Sequence, residues 1–500
     1  MELKKLQNGS DIRGIALPGP NGELPNLTET ESEALTLAFL CWLSKKTGIA
    51  PEDMTVSIGC DSRLSGEALK QAAADAMAYC GVKVLDCGLA STPAMFMSTV
   101  FPEFDCDGAI MVTASHLPAN RNGFKYFDRE GGLNKEDVSR IIFSAAYGET
   151  PRQKSAKDIE KSNLLDAYCS FLKEKIKNEV NSKADFEKPL AGLKIAVDAG
   201  SGAGGFYAAD ILAPLGADVS GSQYLSPDGT FPGHAPNPED REAVKSISAA
   251  VQASGSDLGL IFDTDVDRSA AVCGHGREIS RNGIVAMAAA LIAEDHPGTT
   301  VVTDSITSDQ LSSFLTEKLR LEHFRYKRGY KNVINKAISL GAEGVDCQLA
   351  IETSGHAAYK ENYFLDDGAY LATKIVIKAA QLASEGKTIG SLIAELEEPA
   401  EAREIRLPVE AADSSSFADE ALETLRQYAE AQPGMTVVAP NYEGIRISFD
   451  KEHGDGWCLL RKSLHDPLMP LNIESNSEGG CDKILRALKP VLKDKFCLEI

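Results

Sequence analysis

Three times in this chain an apolar run ends in an aspartate and passes into a turn and then a helical pattern, at residues 56–61, 194–198 and 300–304. A strand that must be followed by a helix each time it recurs builds α/β units, and it excludes all-helical bundles and all-β sandwiches. Helical periodicity follows at residues 66–79 and 308–319, and a further strand reads at 82–85. The spacing predicts mixed, mostly parallel sheets covered by helices on both faces. The 500 residues exceed what one hydrophobic core organises, so about three or four domains are expected.

Lys-, Ser- and Glu-rich residues 177–188, and residues 397–406 with Pro399, mark boundaries, with a helix over 156–176 bridging the first unit to the second. Beyond about residue 404 the order changes. Strands at 404–409, 446–449 and 457–460 and helices at 416–428 and 481–492 predict an α+β domain with an antiparallel sheet. The expected domains are 1–185, 186–297, 298–403 and 404–500.

Chemistry concentrates in three loops. Residues 111–125 set Ser115 beside His116, with Asn120, Asn122 and Gly123 bending the chain so that Lys125 returns toward the hydroxyl. A serine hydroxyl is a weak nucleophile and needs such company. After the strand-like residues 258–262, Asp263, Asp265 and Asp267 alternate and end in Arg268. Carboxylates so close repel one another unless a cation lies between them, and hard oxygen ligands suit Mg²⁺ with open positions for a phosphate oxygen. A phosphate on Ser115 supplies such an oxygen. Glu352, Ser354 and His356 follow the strand-like residues 346–351 and can hold a polyol through several hydrogen bonds. A fourth feature, Gly200-Ser-Gly-Ala-Gly-Gly205, imitates a dinucleotide loop. Asp198 would crowd a pyrophosphate there, and a dehydrogenase leaves the serine loop and the triplet unexplained, so a tight structural turn is expected.

In this order the three loops resemble the α-D-phosphohexomutase family, and the resemblance spans nearly the whole chain. It also takes in Gly9-Ser-Asp-Ile-Arg-Gly14, Gly59-Cys-Asp-Ser-Arg-Leu-Ser-Gly66, the Ser-Thr-Pro93 turn, Pro227-Asp-Gly-Thr-Phe-Pro232, Arg328-Gly-Tyr-Lys331, Glu443-Gly-Ile-Arg446 and Arg461-Lys-Ser463. The family implies three related α/β domains and a smaller fourth around a central cleft. It implies a phosphoserine, a metal and a sugar loop in the first three, and phosphate binding in the last. It further implies a phosphomutase that interconverts hexose 1- and 6-phosphates of glucose or mannose. Phosphate would shuttle between phosphoserine 115 and the sugar through a hexose 1,6-bisphosphate, which also primes the enzyme.

By resemblance, Ser115, His116, Lys125 and Arg13 are catalytic, and Ser115 joins Asp263, Asp265 and Asp267 around Mg²⁺. Substrate contacts fall on Arg328, Gly329, Lys331, Glu352, Ser354, His356, Arg446, Arg461, Ser463 and His465. The chain departs from the family at Arg461-Lys-Ser-Leu-His-Asp-Pro467, where a glycine and a second arginine are missing and Lys462 and His465 are the available substitutes. That departure keeps a non-catalytic phosphosugar-binding relative open as an alternative, and the Glu352-x-Ser-Gly-His356 run, which resembles both branches of the family, keeps a phosphoglucosamine mutase open.

A net charge of −22 opposes binding to nucleic acid or acidic membranes, so a phosphorylated hexose must be drawn by local cations. The 11 cysteines are scattered, with no Cys-x-x-Cys pair, as in a reducing compartment. No apolar run approaches about 18 residues and no signal-like segment opens the sequence. A cytoplasmic monomer or homodimer is expected, and an organelle-imported longer precursor is compatible with it.

Overall fold

The computed structural model describes residues 3–20, 22–152, 154, 156–409, 414–463 and 468–496. It divides into two compact units, one of residues 1–291 and 354–393, the other of residues 292–353 and 394–500.

The first unit carries two sheets and, among its residues 354–393, the antiparallel pair Ala357–Tyr359 and Leu365–Asp366. In the larger, Thr55–Cys60 runs parallel to Lys83–Leu89 and Gly108–Val112, while Arg121–Asp128 returns antiparallel beside Gly108–Val112 and receives Asp11–Ile15 on its other edge. Ser115 lies in the connection between Gly108–Val112 and Arg121–Asp128, and Lys125 lies on the returning strand. Helix Glu29–Thr47 covers one face. Its start is fixed by Glu31, whose carboxylate accepts from the Thr28 backbone N (3.0 Å) and hydroxyl (2.6 Å), and its end by Gly48 in the left-handed region. Leu35, Phe39, Leu43, Val56, Ile110 and Phe124 meet in the core beneath it.

The second sheet orders Glu278–Ile279, Ser269–Cys273, Leu258–Phe262 and Ile195–Asp198. Only the last pair is parallel, so this sheet is mixed in earnest. All five residues of Leu258–Phe262 are buried, as an unbroken apolar strand covered on both faces requires. A Cβ on Gly259 would lie 2.6 Å from Val251, so glycine lets helix Arg241–Ser254 approach.

One expectation is corrected. The helix predicted over 156–176 is helix Leu164–Val180, preceded by a strand, Ile159–Lys161, that pairs parallel with Lys83–Leu89. The isolated apolar Ile159 fitted a helical stripe. The exposed edge of the sheet instead recruited its backbone, and the helix starts only after Asn163.

In the second unit, Glu322–Arg325, Thr300–Thr303 and Cys347–Ile351 form a parallel set. The C-terminal sheet is antiparallel throughout, in the order Glu401–Pro408, Leu468–Ser475, Gly456–Leu460, Ile445–Phe449 and Met435–Val437. Helices Ser414–Glu430 and Gly480–Phe496 close its core around Leu425, Ile447, Leu471 and Leu488.

Candidate active site

The Ser115 loop and the acidic loop meet. The Ser115 hydroxyl donates to Asp263 Oδ2 at 2.8 Å and accepts from Arg268 Nη2 at 3.1 Å, and both partners are buried. Thr113 Oγ1 accepts the Ser115 backbone N–H at 2.9 Å, and Thr113 in turn donates to Asp61 at 2.6 Å. Ser115 has φ 47° and Val266 has φ 67°. Left-handed backbone at a non-glycine residue, above all a β-branched one, costs about 1–3 kcal/mol and persists only where its surroundings enforce it.

Asp263, Asp265 and Asp267 each present a carboxylate oxygen within 4.8 Å of the others, and all three side chains are fully buried. Arg268 bonds Asp263 Oδ2 through Nε (3.2 Å) and Nη2 (3.1 Å). Thr92 donates to Asp265 at 2.5 Å, and Lys125 bridges Asp265 (3.1 Å) and Asp267. Burial first, then Asp267 and Asp265, raise the pKa of Asp263. For Asp267 burial pulls the same way but is outweighed by Lys125, His356 and Arg268, which lower it. Among the described residues, Asp265 Oδ1 and Asp267 Oδ1 have no hydrogen-bond partner despite burial. Two orphaned carboxylate oxygens in a group of three hard donors fit a divalent ion, so this group can bind a metal.

His116 follows Ser115 with Nδ1 3.4 Å from its hydroxyl. Although its residue surface is exposed, the Arg268 charge first, then burial, His356 and Arg13 hold its pKa well below the ordinary histidine value. Arg13 donates to Thr113 O at 2.8 Å and pairs with Asp11 at 2.7 Å, so it braces the strand leading into the loop. His356 Nδ1 lies 2.5 Å from Asp366 and 3.9 Å from Asp267. Burial alone would lower its pKa; Asp366 and Asp267 outweigh that and raise it to about 9. The Ser354 hydroxyl, buried in the same unit, has no hydrogen-bond partner among the described residues. The glycine run behaves as a packing turn: a Cβ on Gly202 would fall 2.7 Å from Thr264 Cα, and Ala203 N bonds Thr264 O at 2.8 Å.

In the second unit, Glu352 accepts the Gly329 N–H at 2.6 Å, with Gly329 at φ 111° capping the helix Tyr330–Ala342 whose first turn carries Lys331. Arg328 Nε lies 4.0 Å from Asp304. Arg461 is buried, and among the described residues its Nε has no hydrogen-bond partner; burial first, then the Arg328 charge, lowers its pKa. The Ser463 N–H bonds Leu468 O at 3.1 Å. Lys462 pairs with Asp419 at 2.7 Å, and His465 lies outside the described residues. Arg446 is spent internally. It stacks 3.6 Å over Trp457 and donates to Ser305 O, Thr307 O and Asp309 at 3.1, 3.3 and 3.0 Å.

Three consecutive stretches match the models of phosphoglucomutase/phosphomannomutase alpha/beta/alpha domains I, II and III, over residues 4–152, 166–276 and 280–399. The chain belongs to the α-D-phosphohexomutase family. A phosphomannomutase/phosphoglucomutase of Pseudomonas syringae is 28% identical over 457 residues, 90% of each chain. A phosphoglucomutase of Neisseria gonorrhoeae is 26% identical over 488 residues, 97% of this chain and 95% of that one. Among solved structures, a phosphoglucomutase/phosphomannomutase family protein from Burkholderia thailandensis superposes with a TM-score of 0.79 at 25% identity, covering 98% of each chain.

Sequence reasoning about this phosphohexomutase missed three side chains that touch the site or its loops, and one contact of a fourth. Thr92 and Asp366 gave no spacing signal, and Arg63 sat in a motif whose partners are remote in sequence. Arg268 was read as able to reach a carboxylate or a phosphate, and its bonds to Asp263 fit that, but its bond to Ser115 Oγ was not foreseen. Farther off, Glu474 accepts from Trp457 Nε1 at 3.0 Å, and burial raises its pKa to about 7 against the pull of Arg446 and Trp457. Its folded pKa exceeds the unfolded one, so ionisation costs stability progressively between pH 4.5 and 7, and fully above 7. Glu474→Gln keeps the acceptor and loses the charge. It is expected to raise stability at pH 8 by about 1–2 kcal/mol and to leave it unchanged near pH 4, as read by thermal melts at both pH values.

Proposed function

We propose that this chain interconverts hexose 1- and 6-phosphates, of glucose or mannose, by phosphoryl transfer to and from Ser115. The observation that carries the reading is the Ser115 hydroxyl 2.8 Å from Asp263, inside the acidic group, with Arg268 at 3.1 Å. Bound to Asp263, Asp265 and Asp267, Mg²⁺ would supply charge compensation for the transferring phosphoryl oxygens. Arg268, already hydrogen-bonded to Ser115 Oγ, is positioned to follow that charge as it develops. His116 and Lys125 are the groups assigned to proton handling. The pKa of His116 is held low, which keeps its imidazole neutral and able to accept a proton, though as a weak base, whereas Lys125, as an ammonium between Asp265 and Asp267, suits charge stabilisation.

The sugar hydroxyls are assigned to Glu352, Ser354 and His356. Ser354 has a buried hydroxyl in need of a partner, and His356 in its charged form offers a donor. The distal phosphate is assigned to Arg461, whose Nε has no partner among the described residues, with Arg328, Gly329, Lys331 and Ser463. Arg446 is left out of that set because its guanidinium is committed to Ser305, Thr307, Asp309 and Trp457. A hexose 1,6-bisphosphate would prime unphosphorylated Ser115.

The test is isomerisation of the 1-phosphates of glucose, mannose and glucosamine, with Mg²⁺ and a bisphosphate primer. Turnover of the glucose or mannose ester above that of the glucosamine ester is expected. Preference for glucosamine phosphate would redirect the substrate assignment, and background rates on all three would overturn the enzyme reading.

A further inference from the structure

We infer that Arg63 is a positioning residue for phosphoryl transfer, holding the Ser115 loop in its reactive shape from beneath; this rests on the function proposed above. Arg63 is 3% exposed, and one guanidinium gathers four carbonyls of the loop. Nη1 donates to Pro118 O at 2.8 Å and to Arg121 O at 2.9 Å; Nη2 donates to Leu117 O at 2.6 Å and to Ser115 O. Nε faces Asp61 Oδ2 at 3.4 Å, and the same Asp61 oxygen accepts from Thr113, whose Oγ1 holds the Ser115 N–H. Both ends of the strained Ser115 backbone unit therefore lead back to the Asp61–Arg63 pair.

The chemistry of the side chain explains why an arginine stands there. Carbonyls spread over residues 115–121 converge on one point only if the donor is a planar fork with several N–H groups, and a charged donor strengthens each bond. An ammonium offers three donors on one atom and cannot reproduce the fork. The guanidinium face is also covered: Arg63 Cζ lies 5.3 Å from the Phe231 ring centroid. The turn carrying Phe231 is seated close against the arginine's own loop, since a Cβ on Gly229 would fall 2.5 Å from Leu64 N and from Ser62 O. Two sequence motifs with no part in the chemistry, at residues 59–66 and 227–232, thereby acquire a function. Arg63 hydrogen-bonds neither the reacting hydroxyl nor the acidic group; its charge is felt by Asp265 and Asp263, but its direct grip is on the backbone of the loop.

The test compares the full-length wild type with Arg63→Lys and Arg63→Met by steady-state kinetics on glucose 1-phosphate and by amide hydrogen exchange of the resting protein. Both variants are expected to lose about 30-fold or more in kcat with KM within about threefold, because displacement of about 1 Å at a nucleophile costs on that order. Exchange is expected to accelerate about tenfold or more over residues 113–123 and to stay unchanged over 258–273, as a local opening does. Retention of charge in Arg63→Lys without rescue separates geometry from electrostatics. Wild-type kcat in Arg63→Lys, unchanged exchange in the loop, or loss of protection across both sheets would each overturn the proposal, as would failure of both variants to fold. An inactive wild type would instead overturn the reading of function, while the exchange arm still reports on Arg63.

Discussion

Ser115→Ala is expected to lower kcat by at least about 10⁴-fold and to abolish the phosphorylated species of the purified protein, because the variant lacks the hydroxyl that carries the covalent phosphate. Within reach of the site, Thr92 is committed to Asp265 and Thr113 to Asp61, so neither presents a free hydroxyl. Alanine at φ 47° carries the left-handed penalty without a local hydrogen bond to offset it, so an inactive variant could reflect a displaced loop. Ser115→Gly separates the two causes, since glycine adopts that backbone without strain. Equal inactivity in both, with the glycine variant at least as stable as the alanine one, assigns the loss to the hydroxyl. Recovery of activity in either variant would remove Ser115 from the chemistry.

The second large effect concerns the acidic group. Asp265→Asn and Asp267→Asn are each expected to reduce kcat by roughly 10²–10⁴-fold at saturating Mg²⁺, the range lost when charge compensation at a developing transition state is removed. A readout independent of turnover accompanies it. Mg²⁺ added to the wild type raises the thermal midpoint by binding the folded state, the shift growing with the logarithm of ion concentration above its dissociation constant, and the shift vanishes in both variants. Asp267→Asn also removes one of the two carboxylates that hold Lys125, leaving Asp265 at 3.1 Å. Full activity in either variant, or an undiminished Mg²⁺ shift, would show that these carboxylates hold no ion. The sign with respect to a chelator follows: removing the ion lowers the midpoint of the wild type and leaves the variants unmoved.

The site was legible where its chemistry lies in contiguous loops. Ser115, the aspartates 263, 265 and 267, and His356 each follow a strand with an apolar signature, and strand ends of an α/β sheet are where loops converge. What the sequence hid are pairings across long separations. The carbonyl partners of Arg63 lie 52 to 58 positions away, and nothing local distinguishes a guanidinium gripping a loop from one on the surface. In the same way nothing local shows that Arg446, assigned to substrate by resemblance, bonds Ser305, Thr307 and Asp309, which stand 137 to 141 positions earlier. Periodicity misled at residues 159–161 for a related reason: an open sheet edge, invisible in one dimension, decided the conformation there. The glycine run was read correctly because Asp198 argued against phosphate, and the close approach of Gly202 to Thr264 supplies the positive reason for glycine.

The most direct measurement follows a labelled phosphoryl group. Protein primed with hexose 1,6-bisphosphate is split, one half quenched at once and the other after mixing with unlabelled hexose monophosphate and Mg²⁺, and both are mapped by tandem mass spectrometry. Label on Ser115 in the first half, and its appearance on sugar bisphosphate at the rate of turnover in the second, is the expected result. Label on another residue, or on Ser115 but released more slowly than turnover, would contradict the account.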